Sequence, residues 1–194
     1  MKGAMEAISV VLVTGVLIGV VGSIYFWGLP LIEKNKDISI LENSEFFIKN
    51  LNDEIKNIAN SGGIVNKKIT VPATVSFDGE NITLEVETGG TIYAKGAEIP
   101  LGRNFCTMKN GIWGVDNPEI LCVKSIEIDD RFFTTYTLKY IMLESEEKNY
   151  KIQLDDSPQS GGSDRKIKIE NMGSIEINEQ GKTVVKTIVK ITIS

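Results

Sequence analysis

From Ala7 to Ile32 the chain carries no charged side chain. A helix rises 1.5 Å per residue, so about 20 apolar residues cross the hydrocarbon core of a bilayer. This run is longer than that. It also outruns the about 7–15 apolar residues of a secretion signal. No small-residue cleavage pattern of the A-x-A kind follows Phe26-Trp27-Gly28. The run is apolar on every face, unlike a helix lying on a soluble domain. The expectation is one helix that spans a membrane or joins a bundle of its own kind. Tyr25 and Trp27 stand near its outer end, where amphipathic rings favour the interface, and Glu33-Lys34-Asn35-Lys36-Asp37 marks the return to water. Gly28 and Pro30 predict a bend or interruption, because proline lacks a backbone donor and its ring crowds the preceding turn.

Inside the run, Gly15, Gly19 and Ser23 recur at every fourth position and share one helix face. Small residues so spaced leave a shallow groove that lets a second helix approach closely in lipid. The same residues are also simply common in membrane helices, and both readings stay open.

Composition narrows the chemistry. The chain has no histidine, so the commonest general base and metal ligand is missing. Ser-His and Cys-His nucleophilic arrangements cannot be built. Only carboxylates or lysines are left for such work, and no catalytic residue and no cofactor are expected. The two cysteines, Cys106 and Cys122, form no CxxC pair, so no zinc site is expected. Net charge is -5, with lysine and arginine spread along the chain rather than clustered, which argues against a nucleic-acid partner.

About 160 residues lie beyond the apolar segment, enough for one domain with its own core. Phe47, Ile48, Leu51, Ile55 and Ile58 recur at helical spacing among polar residues, which predicts an amphipathic helix. Asn43 or Ser44 can cap its start, and Ser61-Gly62-Gly63 can stop it. From Ile64 onward short alternating runs predict about nine or ten strands. Asp78-Gly79 and Asn110-Gly111 are hairpin signals. Phe132–Leu143 is expected to pair with Tyr150–Leu154. Asp155–Asp164 reads as a polar loop, and Gly181 as a turn before a strand of residues 183–194. The fold class expected is α+β: a transmembrane helix, an amphipathic helix and an antiparallel β-sandwich head. The corresponding segments are 1–36, 37–63 and 64–194.

Cys106 and Cys122 flank the Asn110-Gly111 turn and are expected to form a disulfide, worth about 3 kcal/mol in the loop-entropy account. Asn81-Ile82-Thr83 is an N-glycosylation sequon beside a turn. Asp129-Asp130 and Asp155-Asp156-Ser157 offer hard oxygen ligands for calcium, but acids in turns are more often turn residues, and no metal site is expected. The final strand, TVVKTIVKITIS, is read as paired within the head, the alternative being donation to a neighbouring subunit.

Lys2-Gly3-Ala4-Met5-Glu6 running directly into the apolar helix resembles the start of archaeal type IV pilin-like proteins, the group that includes archaellins. The resemblance implies processing between Gly3 and Ala4, and an assembly role for Glu6, with Gly15, Gly19 and Ser23 in the helix interface. It implies a cell-surface filament subunit held in lipid before assembly, which packs with sister or related subunits and presents its head for adhesion or surface-layer contact. The alternative is a membrane-anchored surface binding module that forms no filament. Glu6 has a plainer role open to it as well, a carboxylate beside a helix N-terminus. Resemblance, disulfide and sequon together place the N-terminus inside and the head outside.

Overall fold

The computed structural model describes residues 2–155, 157–179 and 181–194, with side chains from Ser9 onward. One helix, α1 (Lys2–Ser61), passes through both expected helical segments and through Pro30. The interruption expected at Gly28 and Pro30 does not occur. Proline removes one ladder bond, and extending an existing helix is far easier than nucleating a new one, so the turns on either side carry the helix across. The cap expected at Asn43 or Ser44 is corrected for the same reason: both lie inside α1. Ser44 Oγ donates to Ile40 O at 2.8 Å, and Asn43 Nδ2 to Ser39 Oγ at 3.3 Å. The expected stop is where the helix ends. Gly62 adopts φ 78°, and its N–H donates to Ile58 O at 2.9 Å. Asn171 Nδ2 reaches over from the sheet to the last carbonyls, Ile58 O at 2.8 Å and Ala59 O at 3.2 Å.

The strands form two six-stranded sheets. The first runs in the order β1 (Ile64–Lys68), β11 (Lys166–Glu179), β12 (Lys182–Ile193), β9 (Lys148–Asp155), β8 (Met142–Glu144) and β5 (Asn110–Ile112). The second runs β10 (Gln159–Gly161), β2 (Thr74–Phe77), β3 (Asn81–Thr88), β7 (Arg131–Tyr140), β6 (Glu119–Ile128) and β4 (Glu98–Pro100). Pairing is antiparallel except at β12–β9 and β5–β8, which are parallel. The wholly antiparallel pattern expected is therefore corrected. After β9 the chain crosses to the second sheet as β10 and returns as the β11–β12 hairpin, which brings β12 alongside β9 in the same direction.

The Asp78-Gly79 hairpin forms as expected, joining β2 to β3 with Phe77 opposite Ile82. Asp78 Oδ1 accepts from Glu80 N at 2.9 Å and Asn81 N at 2.7 Å, and Gly79 adopts φ 100°. Asn110-Gly111 is not a turn: both residues belong to β5. A Cβ at Gly111 would lie 2.9 Å from both Asp116 Cβ and Leu143 Cδ2, so this glycine answers a close approach rather than a reversal. The pairing expected between Phe132–Leu143 and Tyr150–Leu154 is realised only at Leu143 opposite Tyr150. The longer part of that segment is β7, which lies between β3 and β6 in the other sheet. Residues 159–161, expected in a loop, pair with β2 as an edge strand.

The core joins three surfaces. Leu41, Ile48, Leu51 and Ile55 of α1 cluster with Ile167, Ile169, Val189 and Ile191 of the first sheet. Val75, Ile82, Leu84, Tyr136 and Leu138 of the second sheet complete the same cluster. The second half of α1 thus packs on both sheets and leaves only a narrow outer stripe, including Asn43, Phe46 and Asn57, in water.

Candidate functional site

Among the described residues, the apolar first half of α1 has no packing partner in the chain before Pro30, where the loop containing Gly89 and Ile92 comes near. Its large apolar side chains from Val10 to Ile32 stand exposed, Phe26 at 83% and Trp27 at 85%. Its most apolar 18-residue window has mean hydropathy 2.2, and none of that window is buried. The polar side chains on it are satisfied by the helix itself: Thr14 Oγ1 donates to Val10 O at 2.8 Å and Ser23 Oγ to Gly19 O at 2.8 Å. Both hydroxyls are thus turned back onto the helix ladder, which suits a surround that cannot hydrogen-bond, while the donors of Tyr25 and Trp27 stand exposed near the outer end of the run. Gly15, Gly19 and Ser23 fall on one helix face, as their spacing requires, and a Cβ built at Gly15 or Gly19 would meet nothing within 4 Å. Gly22 adds a further open position beside that face. Sequence reasoning passed over Gly22, although its three-residue spacing from Gly19 was the available signal. The processing pair Gly3-Ala4 and Glu6 fall before the first described side chain.

Polar contacts bolt the second half of α1 to the head along its length. The Tyr136 hydroxyl donates to Leu41 O at 2.8 Å. Tyr93 donates to Glu45 Oε2 at 2.7 Å, and its oxygen lies 3.2 Å from that of Tyr136. Tyr140 donates to Asn52 Oδ1 at 2.8 Å. Lys56 Nζ meets Glu119 Oε1 at 3.0 Å and Asp53 Oδ1 at 3.2 Å. Burial pushes the Glu45 carboxyl up, but hydrogen bonds from Lys49 and Tyr93 outweigh it and hold the group below the usual range. Burial pushes the Tyr136 hydroxyl up to about 12, helped by the Glu45 charge and opposed by the Tyr93 hydrogen bond. Burial and both neighbours raise Tyr93 further.

These tyrosines set an alkaline limit. A group whose folded pKa lies above its unfolded value stabilises the fold below the unfolded pKa, and that contribution is lost as pH rises through the folded one. An unperturbed tyrosine titrates near about 10. Urea midpoints of the full chain are expected to hold steady up to pH 10 and fall between pH 10 and about 12, with Tyr136→Phe reducing the slope. A midpoint that does not change over that window would place these hydroxyls in water.

Cys106 and Cys122 are joined as expected, with Cα atoms 5.9 Å apart. The Glu98 carboxylate lies within 4.8 Å of both sulfurs, but the sulfurs are bonded to each other and offer no thiolate to a metal. Asn81 sits at the start of β3, where its Nδ2 donates to Asp78 Oδ2 at 2.9 Å. Asp129 and Asp130 adopt φ 49° and 61° and close the two-residue turn between Ile128 and Arg131, so they act as turn residues. Asp156 lies outside the described residues. The donated-strand alternative for residues 183–194 is corrected: β12 is paired on both sides, by β11 and β9, and has no free edge to offer.

These features define an α+β protein in which one helix, apolar and long enough to cross a bilayer, continues directly into the helix that organises a two-sheet head. Comparison with known protein families, curated proteins and solved structures finds no match to this chain.

Proposed function

We propose that the chain is a pilin-like structural subunit of a cell-surface filament, in which the apolar rod packs with sister rods and a sandwich-type head faces outward for adhesion or envelope contact. The observation that carries this is the division of α1. Its first half exposes its apolar side chains, and its second half is locked into the head without a break between them. A rod continuous with its head passes the orientation of one to the other, as an ordered helical assembly requires. Ala7 to Ile32 would extend about 39 Å, more than the about 30 Å of a hydrocarbon core, so the same rod can rest in lipid before assembly. The disulfide in the head suits an oxidising exterior. No turnover is part of this function.

The rod is apolar around its whole circumference, and this favours a second reading, a lone membrane anchor for a surface binding module. Negative-stain microscopy of the native membrane fraction separates the two. Replacing Gly15 and Gly19 together by isoleucine fills the face on which rods would meet. The expected result is loss of filaments with the protein still recovered in membranes. Filaments that persist in the double variant would rule out that face as the contact.

A further inference from the structure

The end of the head farthest from the rod carries a second feature. Along α1, Leu41 stands near the rod and Ala59 about 27 Å farther on, by helical rise. Near the rod, the loop containing Gly89 and Ile92 closes on Pro30 and Asp37. At the far end a cleft of about 500 Å³ opens between the last turn of α1 and the first sheet. Trp113 and Tyr150 line it, stacked with ring centroids 4.1 Å apart and planes 29° from parallel. Tyr150 takes one face of the indole. Trp113 nevertheless remains 52% exposed, so about half of the side chain is still open to a ligand.

The platform is held rigidly. Trp113 N donates to Glu144 O at 2.9 Å, and Asp116 N to Ile112 O at 2.9 Å. Asp116 Oδ2 accepts from Ile112 N at 2.7 Å, and Gly114 takes φ 81° in the turn between them. The Cys106–Cys122 bond closes the segment containing this turn. Around the aromatic pair stand Lys56, Asn60, Asn117 and Lys151. The Lys56 charge is met by Glu119 and Asp53. Asn60 and Lys151 have no side-chain partner among the described residues. The cleft therefore offers a flat aromatic face, amide groups at its rim, and single charges of both signs in the Lys151 ammonium and the Asp116 carboxylate.

From this arrangement we infer that the cleft binds a neutral oligosaccharide. A pyranose ring has one apolar face of C–H groups and a rim of hydroxyls. Its apolar face suits an exposed indole, and its hydroxyls suit the amides at the rim. A strongly anionic ligand would meet the Asp116 carboxylate and a strongly cationic one the Lys151 ammonium, so neither finds a lining of one sign, and an aliphatic ligand would leave the amide rim unpaired. Stacking beyond Trp113, with Asn60, Asn117 and Lys151 bonding the hydroxyls, gives the ligand one seat. The role of such binding in adhesion rests on the function proposed above. The binding itself does not, so the failure of either can be told from the failure of the other.

The test uses the full chain in a detergent without a sugar headgroup. Trp27→Phe leaves Trp113 as the single indole, since the chain has two tryptophans. Cellotriose, maltotriose and N,N′-diacetylchitobiose are titrated against its emission. A saturable change with half-saturation near about 1 mM or tighter is expected for at least one of them. Saturation-transfer NMR of the same sugar is expected to lose its signal in Trp113→Ala. It is expected to weaken about tenfold in affinity in Asn60→Ala, which sits on an exposed helix position and keeps the fold. The inference is overturned if none of the three sugars perturbs the indole. It is also overturned if the NMR signal survives Trp113→Ala unchanged, or if a proline-rich peptide binds where the sugars do not.

Discussion

Val20→Arg is expected to move the protein out of the membrane fraction. Val20 lies at the middle of the uncharged run and is 51% exposed, on the part of α1 against which no described residue packs. An arginine at the centre of a membrane helix costs about 2.5–3.5 kcal/mol on the insertion scale. That corresponds to a shift of about 60- to 300-fold between inserted and non-inserted protein. The run can ill absorb it. Val, Leu, Ile and Phe each contribute only about 0.3–0.6 kcal/mol on that scale, and the segment also holds four glycines and a proline. The measurement is the fraction of protein retained in membranes after alkaline carbonate washing. Val115→Arg is the control, since Val115 is 69% exposed on the head and its substitution should change nothing. Equal retention of both variants would show that the rod is not held in lipid.

The second large effect is on the head. Leu51→Ala is expected to lower stability by about 2–5 kcal/mol, the range for emptying a buried leucine site. Leu51 is 0% exposed and packs among residues of both sheets. A domain holds only about 5–15 kcal/mol in all, so this is a large share. A fall in Tm of roughly 4–20 °C follows for a chain of this size. Phe46→Ala, five positions back on the outer stripe and 68% exposed, should change stability by no more than about 0.5 kcal/mol. Thermal melts of the two variants in the same detergent make the comparison. Similar shifts from both would mean that the helix does not form the centre of the head.

The rod was the most legible part of the chain. Its signal is a long run without charge, and that property does not depend on what folds around it. The spacing of Phe47, Ile48, Leu51 and Ile55 also marked a helix, and the structure buries these residues as part of the one long helix α1. The hairpin at Asp78-Gly79 and the helix stop at Gly62 also followed from local chemistry: an aspartate that caps its own turn, and glycines that take positive φ.

The misreadings have a shared cause. Asn110-Gly111 has the composition of a turn, but the demand on Gly111 comes from Asp116 in the turn that follows β5 and from Leu143, which approaches from a distant part of the chain. Pro30 reads as a break, but one lost bond does not outweigh the helix on both sides. The Phe132–Leu143 segment is rich in strand formers, and its composition says nothing about which sheet it joins. The cleft lined by Trp113 and Tyr150 could not be found at all, since its residues come from α1, the turn after β5, and strands β8, β9 and β12.

Local pattern and composition were sufficient for an apolar rod, a helical stripe behind it, a strand-rich remainder and a chain without histidine chemistry. Each of these depends on residues near one another in sequence. Long-range packing settled that β12 is enclosed between β11 and β9 and that two sheets share α1 as a common core, and the continuity of the two helical segments through Pro30 was visible only in the structure. Strand order and the direction of pairing depend on contacts between segments far apart along the chain, and hydrophobic alternation is the same whichever neighbour a strand finds.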